Sequence, residues 1–209
     1  MITCISLPQL PHPPKKFINR AEVLTQEMVN GTCKEQHLNA GLFNTSYHQR
    51  THIRHGVELP SRLGRMYSIG DDFIEWVKDY LHPHPQETGM NVLVPFDVPV
   101  MGPHIDTKRK YLLYYMITLG GENVQTVFYK EHGHTIDRTH SLGIDGLGYV
   151  KDYKDLEVID MIVMQRGMWY LMCPTIIHSV ENLMGARSAI AVSIPSMDHF
   201  PRKNKAPTE

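Results

Sequence analysis

Thr175-Ile176-Ile177-His178-Ser179-Val180, followed after a short Asn- and Gly-containing link by Arg187-Ser188-Ala189-Ile190-Ala191-Val192-Ser193-Ile194, decides the fold class of this chain. Both runs are rich in Val and Ile, too short for helices, and bounded by turn residues, which is the pattern of β-strands. In an extended strand, side chains alternate between two faces. Arg187, Ala189, Ala191 and Ser193 therefore share one face, and Ser188, Ile190, Val192 and Ile194 share the other. The second face is core. The first is small and polar apart from its arginine, and reads as a cavity wall with one cationic anchor.

The same texture extends upstream. Asn91 to Phe96, Tyr111 to Leu119, Gln125 to Tyr129, Leu156 to Met164 and Met168 to Met172 are further short apolar runs separated by Gly, Pro, Asn and Asp. Many short strands at close spacing, without alternating helices, predict a mainly β fold, a jelly roll or barrel, rather than a parallel α/β sheet. Before residue 90 the chain is polar. Glu22 to Val29 reads as a short helix. Asp71 to Leu81 reads as an amphipathic helix, with aspartates at its start, a stripe of Phe73, Ile74, Trp76, Val77, Tyr80 and Leu81, and prolines beyond it. The expected organisation is one domain of 209 residues. It has an N-terminal support region (1–89), a jelly-roll core (90–196) and a flexible tail (197–209).

Composition excludes several classes. With 21 basic and 22 acidic residues the net charge is -1, so no strong field for nucleic acid or membrane follows. The longest apolar stretch, Tyr111 to Leu119, is half of what a spanning helix needs. Pro8, Pro11, Pro13 and Pro14 break an N-terminus that has no basic leader, against a signal peptide. Cys4, Cys33 and Cys173 are odd in number and form no CxxC, so neither a disulfide framework nor a thiolate zinc site is expected. A reducing cytoplasm fits best. No Gly-rich phosphate loop or Gly-x-Ser-x-Gly elbow occurs.

The excess is in histidine, with 13 residues, and histidine is the commonest metal ligand. In Gly102-Pro103-His104-Ile105-Asp106, an imidazole and a carboxylate at i and i+2 share one strand face. A second imidazole from His178 would give two histidines and one carboxylate with an open side, an arrangement suited to non-haem Fe(II). Arg187 could hold a carboxylate bidentately.

In that order, His104-Ile105-Asp106, the Tyr-rich Arg109 to Leu119, Gly120-Gly121, His178 and Arg187 resemble the 2-oxoglutarate/Fe(II)-dependent dioxygenases. The resemblance is to their prolyl hydroxylase-like branch, in its short stand-alone bacterial and phage form, and covers about half the chain. It implies a double-stranded β-helix (cupin-like jelly roll) with Fe(II) on His104, Asp106 and His178. It also implies 2-oxoglutarate held by Arg187 and Tyr115, molecular oxygen as oxidant, and ascorbate as an optional reductant. The activity implied is hydroxylation of an unactivated C–H bond in an amino-acid residue, peptidyl substrate or small molecule. Gly120-Gly121 is followed by a longer stretch than the family has, and the 130–156 insertion matches nothing in it. The alternatives are a non-enzymatic jelly-roll binding module and a cupin metalloenzyme that does not use 2-oxoglutarate.

Other candidates read more plainly. His48, His52 and His55 would lie along one helical face, but lack the glutamate of a zincin. His132 and His134 suit a solvated loop, and His82 and His84 a helix stop. Met161, Met164, Met168 and Met172 suit core filling, as does Trp169. Tyr115 shares its alternation with Leu113, Ile117 and Leu119, which also fits an ordinary core tyrosine. Arg109 reads as a substrate-side residue at the mouth or, more plainly, as solvated charge.

Overall fold

The computed structural model describes residues 2–32, 50–61, 65–93, 101–106, 109–133, 136–137, 147–150 and 152–198. His48, His134, Cys33 and the 197–209 tail beyond residue 198 lie outside them. The elements are β1 (Cys4–Ser6), α1 (Lys15–Val29), β2 (Arg50–Arg54), β3 (Val57–Ser61), β4 (Arg65–Tyr67), α2 (Asp71–Tyr80), β5 (Glu87–Leu93), β6 (Met101–Asp106), β7 (Tyr111–Leu119) and β8 (Gln125–Glu131). They continue with β9 (Ile136–Asp137), β10 (Leu147–Val150), β11 (Leu156–Ile162), β12 (Trp169–Met172), β13 (Ile177–Glu181) and β14 (Arg187–Ile194).

The fold is mainly β. One six-stranded sheet runs β1-β12-β7-β14-β5-β4 and a second runs β11-β8-β13-β6-β10-β9, and all strand pairs within them are antiparallel. The chain crosses between the sheets from β5 to β8 and again from β11 to β14, whereas β8 to β11 stay in the second sheet, where β9 pairs with β10. Between the sheets lie Leu112, Met116, Tyr170, Met172, Ala189 and Ala191 from the first and Phe128 from the second, with Cys4 and Met164. The outer face of the first sheet carries Leu113, Tyr115, Ile190, Val192 and Ile194, which alternate with the inner residues as strand geometry requires.

The two helices cover that outer face. In α1, Phe17, Ala21, Leu24 and Met28 recur at helical spacing and are buried. In α2, Phe73, Trp76 and Val77 do the same. Phe17 meets Phe73 edge-on at 5.2 Å between ring centroids, and Phe73 stacks on Trp76 at 5.9 Å. α1 begins at Lys15, well before the expected Glu22, because Pro14 stands at its N-cap and Lys15, Lys16 and Arg20 lie on a polar face that hides the period. α2 matches its expected span, although Gly70 is the cap residue. Asp72 in its first turn binds Arg20 and Lys16, which hold its carboxyl down at about 2.

Six short strands are absent from the sequence reading: β1, β2, β3, β4, β9 and β10. Residues 50–54 are extended and pair with β3, so the helical face proposed for His48, His52 and His55 does not form. The β2–β3 hairpin is tied to the second sheet by Arg54, which donates to the buried Glu181 at 2.8 Å. Ser179 and Tyr153 also donate to that carboxylate. Met164 and Met172 are core, whereas Met161 is exposed on the outer edge of β11. Trp169 is core and donates its indole N–H to Pro11 O. His82 is buried and accepts the backbone N–H of His84 at 3.1 Å, which turns the chain from α2 into β5. His132 is exposed beside Glu157. No helix among the described residues is long and apolar enough to cross a membrane.

Candidate functional site

The inner faces of both sheets build the site. His104 on β6 and His178 on β13 are direct cross-strand partners, and their ring centroids lie 4.2 Å apart. The pairing slips by one residue just beyond, toward Met101, next to Pro103, which has no N–H for the ladder. Ile105 points the other way into a separate cluster with Val127 and Ile177, so His104 and Asp106 share the inner face as their spacing predicts. All three candidate ligands are buried.

The two imidazoles are oriented alike. His104 Nδ1 lies 2.9 Å from Gly102 O, and His178 Nδ1 lies 2.9 Å from Ile176 O. A carbonyl can only accept, so each Nδ1 carries a proton and donates it to that oxygen. Donation of the distal N–H to a carbonyl is the usual support of a metal-bound histidine. Burial, and then the neighbouring His104, push His178 down to about 3, so it is neutral at ordinary pH. The Asp106 backbone N–H is pinned to Pro174 O at 2.8 Å, and its Oδ2 accepts from Arg109 at 3.2 Å. Among the described residues no three His, Cys, Asp or Glu side chains form a ready-made ligand group.

Arg187 starts β14 on the inner face, alongside Ala189 and Ala191 as the alternation predicts. Its Nη2 donates to Thr126 Oγ1 at 2.8 Å and lies 3.2 Å from Met164 Sδ. Its Nη1 is buried with no partner. Burial pushes the guanidinium down to about 10, and no carboxylate among the described residues offsets it. A cation whose Nη1 is buried without a partner is costly to hold there. The Gly120-Gly121 turn lets the neighbouring chain come close. Gly120 has φ +81°, accepts the N–H groups of Met184 and Gly185 at 2.8 Å each, and a Cβ there would stand 3.1 Å from Arg187 Cβ.

Tyr115 does not join this group. It lies on the helix-covered face between Trp169 and His12, and its hydroxyl is 3.0 Å from His12 Nδ1. Tyr114 occupies the inner face instead. Its hydroxyl accepts from Asn91 Nδ2 at 3.2 Å, which leaves its own proton to donate, and burial pushes it up to about 12. A one-residue register shift between β7 and β14 changes the phase of β7, so Leu119 packs with the inner cluster and not with Tyr115. Thr126, Met164, Asn91 and Tyr114 are the site residues that sequence reasoning missed. Only Tyr114 carried a signal, since it alternates with Leu112 and Met116.

Arg109 is also not solvated. Its side chain is 11% exposed, with Nε 2.7 Å from Glu87 Oε2 and Nη1 3.2 Å from Asp106 Oδ2.

No protein-family model matches the chain. No curated protein matches it either. Among solved structures, the crystal structure of AviO1 from Streptomyces viridochromogenes Tue57 is similar over 93% of this chain and 90% of that chain, at 10% sequence identity and a TM-score of 0.43. A likeness at that score supports no argument about activity.

Proposed function

We propose that this protein is a 2-oxoglutarate- and Fe(II)-dependent oxygenase on a jelly-roll scaffold. The observation that carries the reading is Arg187, a part-buried cation whose Nη1 is buried and unpartnered, on the same inner face as two paired histidines and an aspartate. An anion site and a nitrogen-and-carboxylate donor set are what a dicarboxylate 2-oxo acid and ferrous iron require together. The scaffold is supported by the interleaving of β5, β7, β12 and β14 with β6, β8, β11 and β13 in two facing antiparallel sheets.

The donor chemistry fits the metal. His104 and His178 would offer Nε2, and Asp106 a carboxylate oxygen. When bound, iron with 2-oxoglutarate and molecular oxygen supplies the oxidising power to hydroxylate an unactivated C–H bond, releasing succinate and carbon dioxide. The protein's own residues do the rest. Arg187 would bind the far carboxylate of the cosubstrate through Nη1 and Nη2, with Thr126 holding the guanidinium in place. Tyr114 Oη, which accepts from Asn91, would donate its proton to the same carboxylate, because an ionised carboxylate can only accept. Ala189 and Ala191 leave room for the carbon chain, and Phe128 and Met116 exclude water behind it. His178, kept neutral by burial, holds no proton on Nε2 that would compete with a metal. The substrate proposed is an amino-acid residue, free or peptidyl.

Slow succinate formation without a prime substrate tests this reading. The protein incubated with Fe(II), 2-oxoglutarate and oxygen should form succinate above a chelator-treated control, and Asp106→Ala should not. Equal succinate in all three samples would reject it.

A further inference from the structure

Arg109 sits between two acidic side chains from opposite sheets, Glu87 on β5 and Asp106 on β6. Its Nε donates to Glu87 Oε2 at 2.7 Å and its Nη1 to Asp106 Oδ2 at 3.2 Å. All three side chains are largely buried, at 11% exposure for Arg109, 23% for Glu87 and 10% for Asp106.

We propose that Arg109 is a positioning residue, which together with Glu87 fixes the Asp106 carboxylate so that one oxygen, Oδ1, faces a divalent metal held with His104 and His178. The inference rests on the functional reading above. A free carboxylate turns about its Cβ–Cγ bond and offers one oxygen or two. Occupation of Oδ2 by a guanidinium removes that freedom. The planar fork of arginine is itself held by Glu87, so the direction of Oδ1 is set by the gap between the two sheets rather than by a loop.

Glu87 has a second part. An arginine beside a metal ligand repels the metal, and by charge alone it would weaken the site. Glu87, Arg109 and Asp106 together carry one net negative charge, so the arginine can orient the ligand while the cluster still attracts a cation. Positioning and charge thus predict opposite signs when Arg109 is removed. Charge alone predicts tighter metal binding, and positioning predicts weaker binding.

The test is Mn(II) binding to the purified protein, read from the electron paramagnetic resonance of the free ion. The visible spectrum of the Co(II)-loaded protein and a urea unfolding curve are recorded for each variant. Arg109→Gln should raise the Mn(II) dissociation constant about tenfold or more, the range found when partners of metal ligands are removed. Its Co(II) bands should shift even at saturation, which a purely structural role for Arg109 would not produce. Arg109→Lys keeps the charge but cannot fork between two carboxylates, so it should recover only part of the affinity. It also serves if Arg109→Gln does not fold. Mn(II) affinity equal to or tighter than wild type in both variants, with unchanged Co(II) bands, would overturn the inference. His104→Ala separates the two levels. If it abolishes Mn(II) binding while the Arg109 variants match wild type, only the inference fails. If it leaves Mn(II) affinity intact, the functional reading fails and the inference with it.

Discussion

Replacing Arg187 with methionine should move stability and binding in opposite directions. Burial lowers the guanidinium from its ordinary value of 12.5 to about 10. At about 1.4 kcal/mol per tenfold, keeping the cation between the sheets costs the protein alone about 3 kcal/mol. The hydrogen bond to Thr126 returns part of that. Methionine matches the length of the stem and meets Met164, Ala189 and Leu119, so little volume is lost. Exchanging a buried charge for an apolar side chain stabilises proteins by about 1–4 kcal/mol in comparable cases. Arg187→Met should therefore raise the melting temperature of the ligand-free protein by about 2–16 °C, given about 2–4 °C per kcal/mol for a chain of this size. The same change removes the partner of the cosubstrate's far carboxylate. Breaking such a pair costs about 3–5 kcal/mol, so affinity for 2-oxoglutarate should fall by at least about two orders of magnitude. The assay is thermal unfolding with and without Mn(II) and 2-oxoglutarate. Wild type should gain stability from the pair of ligands, and the variant should start higher and gain nothing from 2-oxoglutarate. If Arg187→Met lowered the melting temperature and kept the 2-oxoglutarate gain, Arg187 would be an ordinary packed side chain and the anion-site argument would be wrong.

Tyr114→Phe should weaken 2-oxoglutarate binding about fivefold to tenfold, the worth of one hydrogen bond, and calorimetry should show no effect of Tyr115→Phe; the reverse result would put the cosubstrate on the other face of β7. The depressed value of His178 makes stability pH-dependent, with a sign that can be worked out. The native ring stays neutral down to about 3, whereas the unfolded ring takes a proton below 6.5, so this contribution is complete above pH 6.5 and is lost as pH falls toward 3. Between pH 7.5 and 5, urea unfolding should show a loss of about 2 kcal/mol that His178→Gln lacks; equal pH slopes in both proteins would contradict it. Phe73→Ala removes a fully buried ring wedged between Phe17 and Trp76 and should cost about 3–5 kcal/mol in urea unfolding without changing metal affinity.

The β core was legible because its strands alternate cleanly. Tyr111–Leu119 and Arg187–Ile194 have the spans their periodicity predicts, and the inner face of β14 was read correctly down to Arg187 and its alanines. What alternation cannot supply is which face of a strand is inner when both are apolar. In Tyr111–Leu119 both faces carry tyrosine and large aliphatics, so the pattern does not tell that Tyr114 lies on the inner face and Tyr115 on the outer. The shift in register near Ile117 made the pattern harder still, since it moves Leu119 to the other face. Arg109 was misread for a different reason. A charge outside a periodic run looks solvated in sequence, and only pairing across two sheets shows that Glu87 and Asp106 bury it. The N-terminal strands are hard to see in the sequence because each is short, and β1 pairs with a strand far along the chain, Cys4 lying opposite Met172.

The most direct test of the central claim is an anaerobic titration of the purified protein with Fe(II) and then 2-oxoglutarate, followed in the visible spectrum. The account predicts a weak metal-to-ligand charge-transfer band that saturates at one iron and one 2-oxoglutarate per chain and is lost in His104→Ala. No band at saturating concentrations of both, or a band of equal strength in His104→Ala, would contradict it.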